Sequence, residues 1–199
     1  MISKLYKIAV RGGGATGTQS IVHYLSTGEF LPDYPERTPY IHTRFWIVTI
    51  KTAVYDEPIR FQIWNRRTGG FYYLPENMAT SFRGIKGLIL VYDITRKRTF
   101  EDLPRWLDTA LQYASNFPVA IVGNKVDLIG KTAEERRQYY ASEEIIDPRT
   151  GILFAESIAD KYDVPTLFME TSAKTGHNIQ RLFSEFAEMV ANHWRKDSI

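Results

Sequence analysis

The sequence predicts an α/β protein built on a six-stranded, mostly parallel sheet with one antiparallel hairpin strand and helices on both faces. Three observations carry this. Short apolar clusters rich in β-branched residues at 5–10, 88–92 and 119–122 each run into a Gly or Asp, as buried parallel strands do. Helical patterns lie between the strands. The first strand ends in a run of glycines just ahead of a helix, and in a doubly wound sheet ligands gather at that carboxyl end.

In chain order, the strand at 5–10 leads through its glycines into a helix over 21–25. Alternating residues at 45–54, a turn at Asp56-Glu57-Pro58 and a second run at 59–64 read as the hairpin. The strand at 88–92 is followed by a helix over 101–113. The strand at 119–122 and a helix over 153–162 precede a short strand at 167–170. The last helix spans 179–194, with Ile179, Leu182, Phe183, Phe186 and Val190 on one face.

With 199 residues and 44% apolar content, the chain can bury one substantial core. No composition shift divides it, so a single domain over 1–199 is expected. The net charge is only +2 and basic residues are interspersed with acidic ones, which argues against a nucleic-acid partner. The absence of cysteine removes disulfides, thiolate metal sites and cysteine nucleophiles, and suits a reducing, cytoplasmic setting. No apolar run approaches the roughly 20 residues that span a bilayer. His23, His42, His177 and His193 are scattered without ligand spacing.

The run Gly12-Gly13-Gly14-Ala15-Thr16-Gly17-Thr18-Gln19-Ser20 has the form of a phosphate-cradling loop, where small residues let backbone amides close around phosphate oxygens. The usual pattern is G-x-x-x-x-G-K-[S/T]. Here Thr18 stands in place of the lysine and Gln19 in place of the metal-binding hydroxyl. Sliding the register to put Ser20 on the metal would place Thr18 at the second glycine, so the slide is rejected.

Two further motifs follow successive strands: Asn124-Lys125-Val126-Asp127, and Thr171-Ser172-Ala173-Lys174. They resemble the N-K-x-D and S-A-K motifs of Ras-superfamily small GTPases. Arg60-Phe61-Gln62-Ile63-Trp64, Ser81-Phe82-Arg83-Gly84 and Leu88 through Thr95 are similar to stretches of the Rab branch, and the resemblance runs from about Lys7 to Trp194. It implies a P-loop NTPase G-domain that binds GTP or GDP. On that resemblance Asp127 accepts from the ring NH and exocyclic amine of guanine, a pair adenine cannot satisfy. Asn124 ties the two loops together, the stems of Lys125 and Lys174 sandwich or approach the base, Ser172 belongs to the same motif, and the Ala173 amide meets the guanine carbonyl. Phe30, twelve residues beyond Thr18, takes the place of the aromatic that packs on the base. Gly14, Ala15, Thr16, Gly17, Thr18, Gln19 and Ser20 would line the phosphates.

The sequence departs from the family where the triphosphate and Mg²⁺ are handled. After Trp64 the family has D-x-x-G-Q, whose Asp holds the metal through water and whose Gln orients the attacking water. This chain has Asn65-Arg66-Arg67-Thr68-Gly69-Gly70-Phe71. No metal ligand and no catalytic residue is therefore assigned. Arg66 and Arg67 read as solvated arginines or as a substitute cation. Thr38 and Thr43 compete for the switch I threonine.

An insertion over about 132–151 separates the two guanine motifs, with charged residues and a turn at Asp147-Pro148-Arg149-Thr150-Gly151. The chain ends without the prenylatable cysteines of Rab relatives, so membrane association is expected only through partners. The resulting expectation is a guanine-nucleotide-binding switch in signalling or vesicle traffic, meeting effector or regulatory proteins through its switch regions, with little or no intrinsic GTP hydrolysis. Its alternative is a pseudo-GTPase scaffold that binds partners without cycling.

Overall fold

A computed structural model describes residues 4–30, 45–65, 75–132 and 145–195. Six strands form one sheet in the order β2-β3-β1-β4-β5-β6. They are β1 (Leu5–Gly12), β2 (Phe45–Ile50), β3 (Ile59–Trp64), β4 (Gly87–Asp93), β5 (Val119–Asn124) and β6 (Thr166–Thr171). Only β2 runs antiparallel, against β3, while β1, β3, β4, β5 and β6 pair in parallel. The apolar runs give every residue of β4 and β5 a buried place, as a sheet covered on both faces requires.

Helices cover the two faces. On one, α1 (Thr18–Thr27) and the last helix, α6 (Ile179–Arg195), pack Ile21, Val22, Leu182, Phe183, Phe186 and Val190 against Ile8, Val10, Phe61, Ile63, Ile89 and Val91. On the other, α2 (Pro75–Phe82), α3 (Lys97–Glu101), α4 (Leu103–Leu111) and α5 (Pro148–Tyr162) lie over Ala9, Leu88, Leu90, Tyr92 and Ile121.

Three expectations are corrected. The helix expected over 101–113 is α4, shorter at both ends (Leu103–Leu111), and a separate short helix, α3 (Lys97–Glu101), precedes it, because Pro104 cannot continue the hydrogen-bond ladder of α3 but suits the first turn of α4. The turn expected at Asp147–Gly151 is the start of α5: the Asp147 carboxylate accepts from the Arg149 amide and Pro148 supplies the first helical residue. The strand expected to reach Val54 stops at Ile50. The 133–144 part of the insertion, Thr38, Thr43, Arg66 and Arg67 lie outside the described residues.

Candidate functional site

The glycine run makes the turn its composition promises. Ala15 and Gly17 have positive φ of 58° and 91°, which reverse the chain between β1 and α1. The Thr16 hydroxyl turns back to the Gly13 carbonyl at 2.9 Å. No side chain caps α1, whose first-turn amides thus remain the natural contact for an anion at this loop. Gly14 and Ala15 are exposed, while Thr18, Gln19 and Ser20 are half-buried in the first turn.

Asn124, 1% exposed at the end of β5, joins three segments. Its Nδ2 donates to the Thr16 carbonyl at 2.9 Å, and its Oδ1 accepts from the Thr171 hydroxyl at 3.1 Å and the Ala173 amide at 3.2 Å. The Ser172 hydroxyl donates to Asp127 Oδ1 at 2.6 Å. Asp127 sits in a 3₁₀ turn entered through Lys125 at φ 75°. The phosphate loop and both motif loops are thereby one hydrogen-bonded unit. Lys174, next to Ala173, is exposed, and so is Phe30, three residues beyond the end of α1.

The structure adds a group that motif reading left without a role. Asp93 ends β4 fully buried, and a buried carboxylate requires partners. Lys125 Nζ lies 2.7 Å from its Oδ2 and Arg96 Nε 2.9 Å from the same atom, while the Thr95 amide and hydroxyl donate to Oδ1. Burial alone would raise the Asp93 carboxyl, but Lys125 and the Thr95 donors outweigh it and hold it below its ordinary value of 3.8. Arg96 then spends its Nη2 on the Gly14 carbonyl at 2.7 Å. Lys125, expected at the base, here places its ammonium on Asp93. The signal in the sequence was an Asp at the end of a fully apolar strand.

At the places where the family pattern has metal ligands, the side chains are neutral amides. Asn65 is 2% exposed, and neither its Oδ1 nor its Nδ2 has a hydrogen-bond partner. Gln19 Oε1 is likewise buried and unpartnered. Leaving such a group unsatisfied costs about 1–3 kcal/mol. Mg²⁺ prefers anionic oxygen ligands, so this donor set does not fit it. Among the described residues no group of three His, Cys, Asp or Glu could hold a metal ion.

A model of the Ras family matches residues 7–192. This chain belongs to the Ras family. It is 30% identical to the "Ras-related protein RabF1" of Dictyostelium discoideum, over 98% of this chain and 89% of that protein. It is 31% identical to the human "Ras-related protein Rab-30", over 98% and 84%, and 32% identical to the "Ras-related protein Rab-5A" of Dictyostelium discoideum, over 93% and 80%. Its likeness within the Ras family is therefore to Rab proteins. The sheet with one antiparallel pair is consistent with a Ras-family G-domain. Ras-family proteins bind guanine nucleotide and meet effectors and regulators through their switch regions.

Proposed function

We propose that this chain is a guanine-nucleotide-binding small G protein of Rab type that hydrolyses GTP slowly or not at all. The observation that carries it is the Asn124 network, which holds the Asp127 and Ala173 loops in fixed relation to the phosphate loop. Asp127 would accept from the guanine ring NH and amine, with the Ala173 amide on the guanine carbonyl and Phe30, Lys125 and Lys174 around the base. The amides of 14–20 would meet the phosphates.

Hydrolysis is weak in this reading because Thr18 brings no charge to the β- and γ-phosphates and no glutamine follows Asn65 to orient water. Partners would read the nucleotide state through the segments flanking β2 and β3 and ahead of α2, in vesicle traffic or signalling. A second reading, a pseudo-GTPase scaffold, is favoured by Thr18 and by the unpartnered Asn65 amide.

The test is release and chromatography of nucleotide from the purified protein, then titration with GDP, GTP and ATP. Bound guanine nucleotide, with preference over ATP abolished by Asp127→Ala, supports the switch. Measurable affinity for none of the three supports the scaffold. Mg²⁺-dependent turnover equal to that of an intact small GTPase would overturn the weak-hydrolysis reading.

A further inference from the structure

Five buried side-chain polar atoms lack a hydrogen-bond partner among the described residues, and three belong to Gln19 and Asn65. Both residues border the phosphate loop. In β3, Ile59, Phe61 and Ile63 point to the face covered by α1 and α6, and Asn65, the next residue beyond the strand, falls on the same alternation. The β1–β3 register sets Trp64 beside Ala9, so Asn65 lies level with Val10, at the approach to the phosphate loop. Gln19 is in the first turn of α1, at the other side of that loop. The two amides do not satisfy each other, since neither Gln19 Oε1 nor Asn65 Nδ2 is bonded.

We propose that these carboxamides hold the phosphates of a guanine nucleotide directly, without a divalent cation, at the place where relatives put Mg²⁺. This deepens the nucleotide reading above and rests on it. The chemistry follows from replacing a carboxylate by an amide. A carboxylate near phosphate only accepts hydrogen bonds, so it repels phosphate oxygens unless a cation lies between them. The Asn65 Nδ2 donates to them with no intermediary, and Gln19 Nε2 adds a second donor from the helix N-terminus. Beside Gly14, Arg96 and Lys125 share the carboxylate of Asp93, and Arg96 also donates to the Gly14 carbonyl, so the cations nearest the loop are already held by protein groups and the carboxamides are the donors left for phosphate.

The test is a titration of the nucleotide-freed full chain with a fluorescent GDP analogue, in excess Mg²⁺ and in EDTA. Equal affinities, within about threefold, are expected; binding tighter in Mg²⁺ by about tenfold or more overturns the proposal while leaving the nucleotide reading intact. Absence of binding in both conditions overturns the nucleotide reading and this proposal with it. Asn65→Leu separates a ligand contact from a merely buried amide. It is expected to raise the melting temperature of the nucleotide-free protein, by removing an unsatisfied group, and to weaken GDP binding roughly tenfold or more. Unchanged GDP affinity in that variant overturns the proposal. In the pair Gln19→Ser with Asn65→Asp, Mg²⁺ dependence should appear, and Mn²⁺ paramagnetic resonance of the GDP-loaded protein should report a bound cation that the parent chain lacks. A bound Mn²⁺ signal in the parent chain also overturns it.

Discussion

Arg96 donates from Nη2 to the carbonyl of Gly14 at 2.7 Å, across 82 residues of sequence. The guanidinium is fixed from behind by Asp93, so it acts as a strut between the end of β4 and the phosphate loop. Removing it should loosen that loop without touching the core. Arg96→Ala is expected to lower the melting temperature by about 2–4 °C, the effect of losing ~1 kcal/mol in a chain of this size. The Arg96 side chain is 22% exposed, which limits the loss. GDP affinity should fall several-fold, whereas Arg98→Ala, at an exposed position, should change neither.

Asp93 is the costlier residue to change. In Asp93→Asn the cations of Lys125 and Arg96 face each other without their carboxylate. The expected loss is about 3 kcal/mol, near the low end for breaking a buried pair because both cations reach solvent. Urea denaturation measures it.

The same residue sets an acid limit. Its folded pKa lies below the ordinary 3.8, so its contribution to stability is present above that value and is lost as pH falls through the folded pKa. Melting temperatures recorded from pH 7 downward should drop more steeply below about pH 4 in the parent chain than in Asp93→Asn.

Gly17 and Gly14 make a matched pair. A Cβ on Gly17 would run into Asn124 Nδ2, at a backbone φ of 91° that side chains rarely adopt, whereas a Cβ on Gly14 meets nothing within 4 Å. Gly17→Ala is expected to cost more than about 2 kcal/mol, adding displacement of Asn124 to the strain of φ. Gly14→Ala should stay within about 0.5 kcal/mol. Thermal melts of the two variants check this.

Lys7 anchors α2. Its ammonium donates to the carbonyls of Thr80 and Arg83, both at 2.8 Å, at the carboxyl end of that helix, and lies over the Trp64 ring. Arg11, 3% exposed in β1, stacks over Phe82 and donates to the Trp64 carbonyl. Lys7→Ala should speed amide exchange at 79–83 by roughly tenfold, a loss of ~1–1.5 kcal/mol of local protection, and leave β5 unchanged.

Much of the fold could be read locally. The β3 bounds at Ile59 and Trp64 fell where alternation put them, and the β-branched runs of β4 and β5 announced burial on both faces. Helix ends were less legible because caps depend on single side-chain contacts: Asp147 reads as a turn residue until its carboxylate is seen on the Arg149 amide. The α2 helix is not legible in the sequence because Pro75–Phe82 offers only Met78 and Phe82 as an apolar pair, too short a pattern to mark a helix, and its place is secured by Lys7 and by the burial of Phe82.

By itself the sequence determined the strand order of chemistry: a phosphate-type loop after β1, and the Asn124, Asp127, Ser172 and Ala173 set after β5 and β6. Those identities fix which donors and acceptors each loop presents, and that inventory is local. Only the tertiary structure decided that Asn124, expected to tie the two motif loops, also reaches the phosphate loop at Thr16, that Arg96 braces Gly14 from the end of β4, and that Asn65 is buried with both amide atoms unpartnered. Such facts depend on sheet register and on which faces close over a side chain, and neither is encoded in the spacing of neighbouring residues.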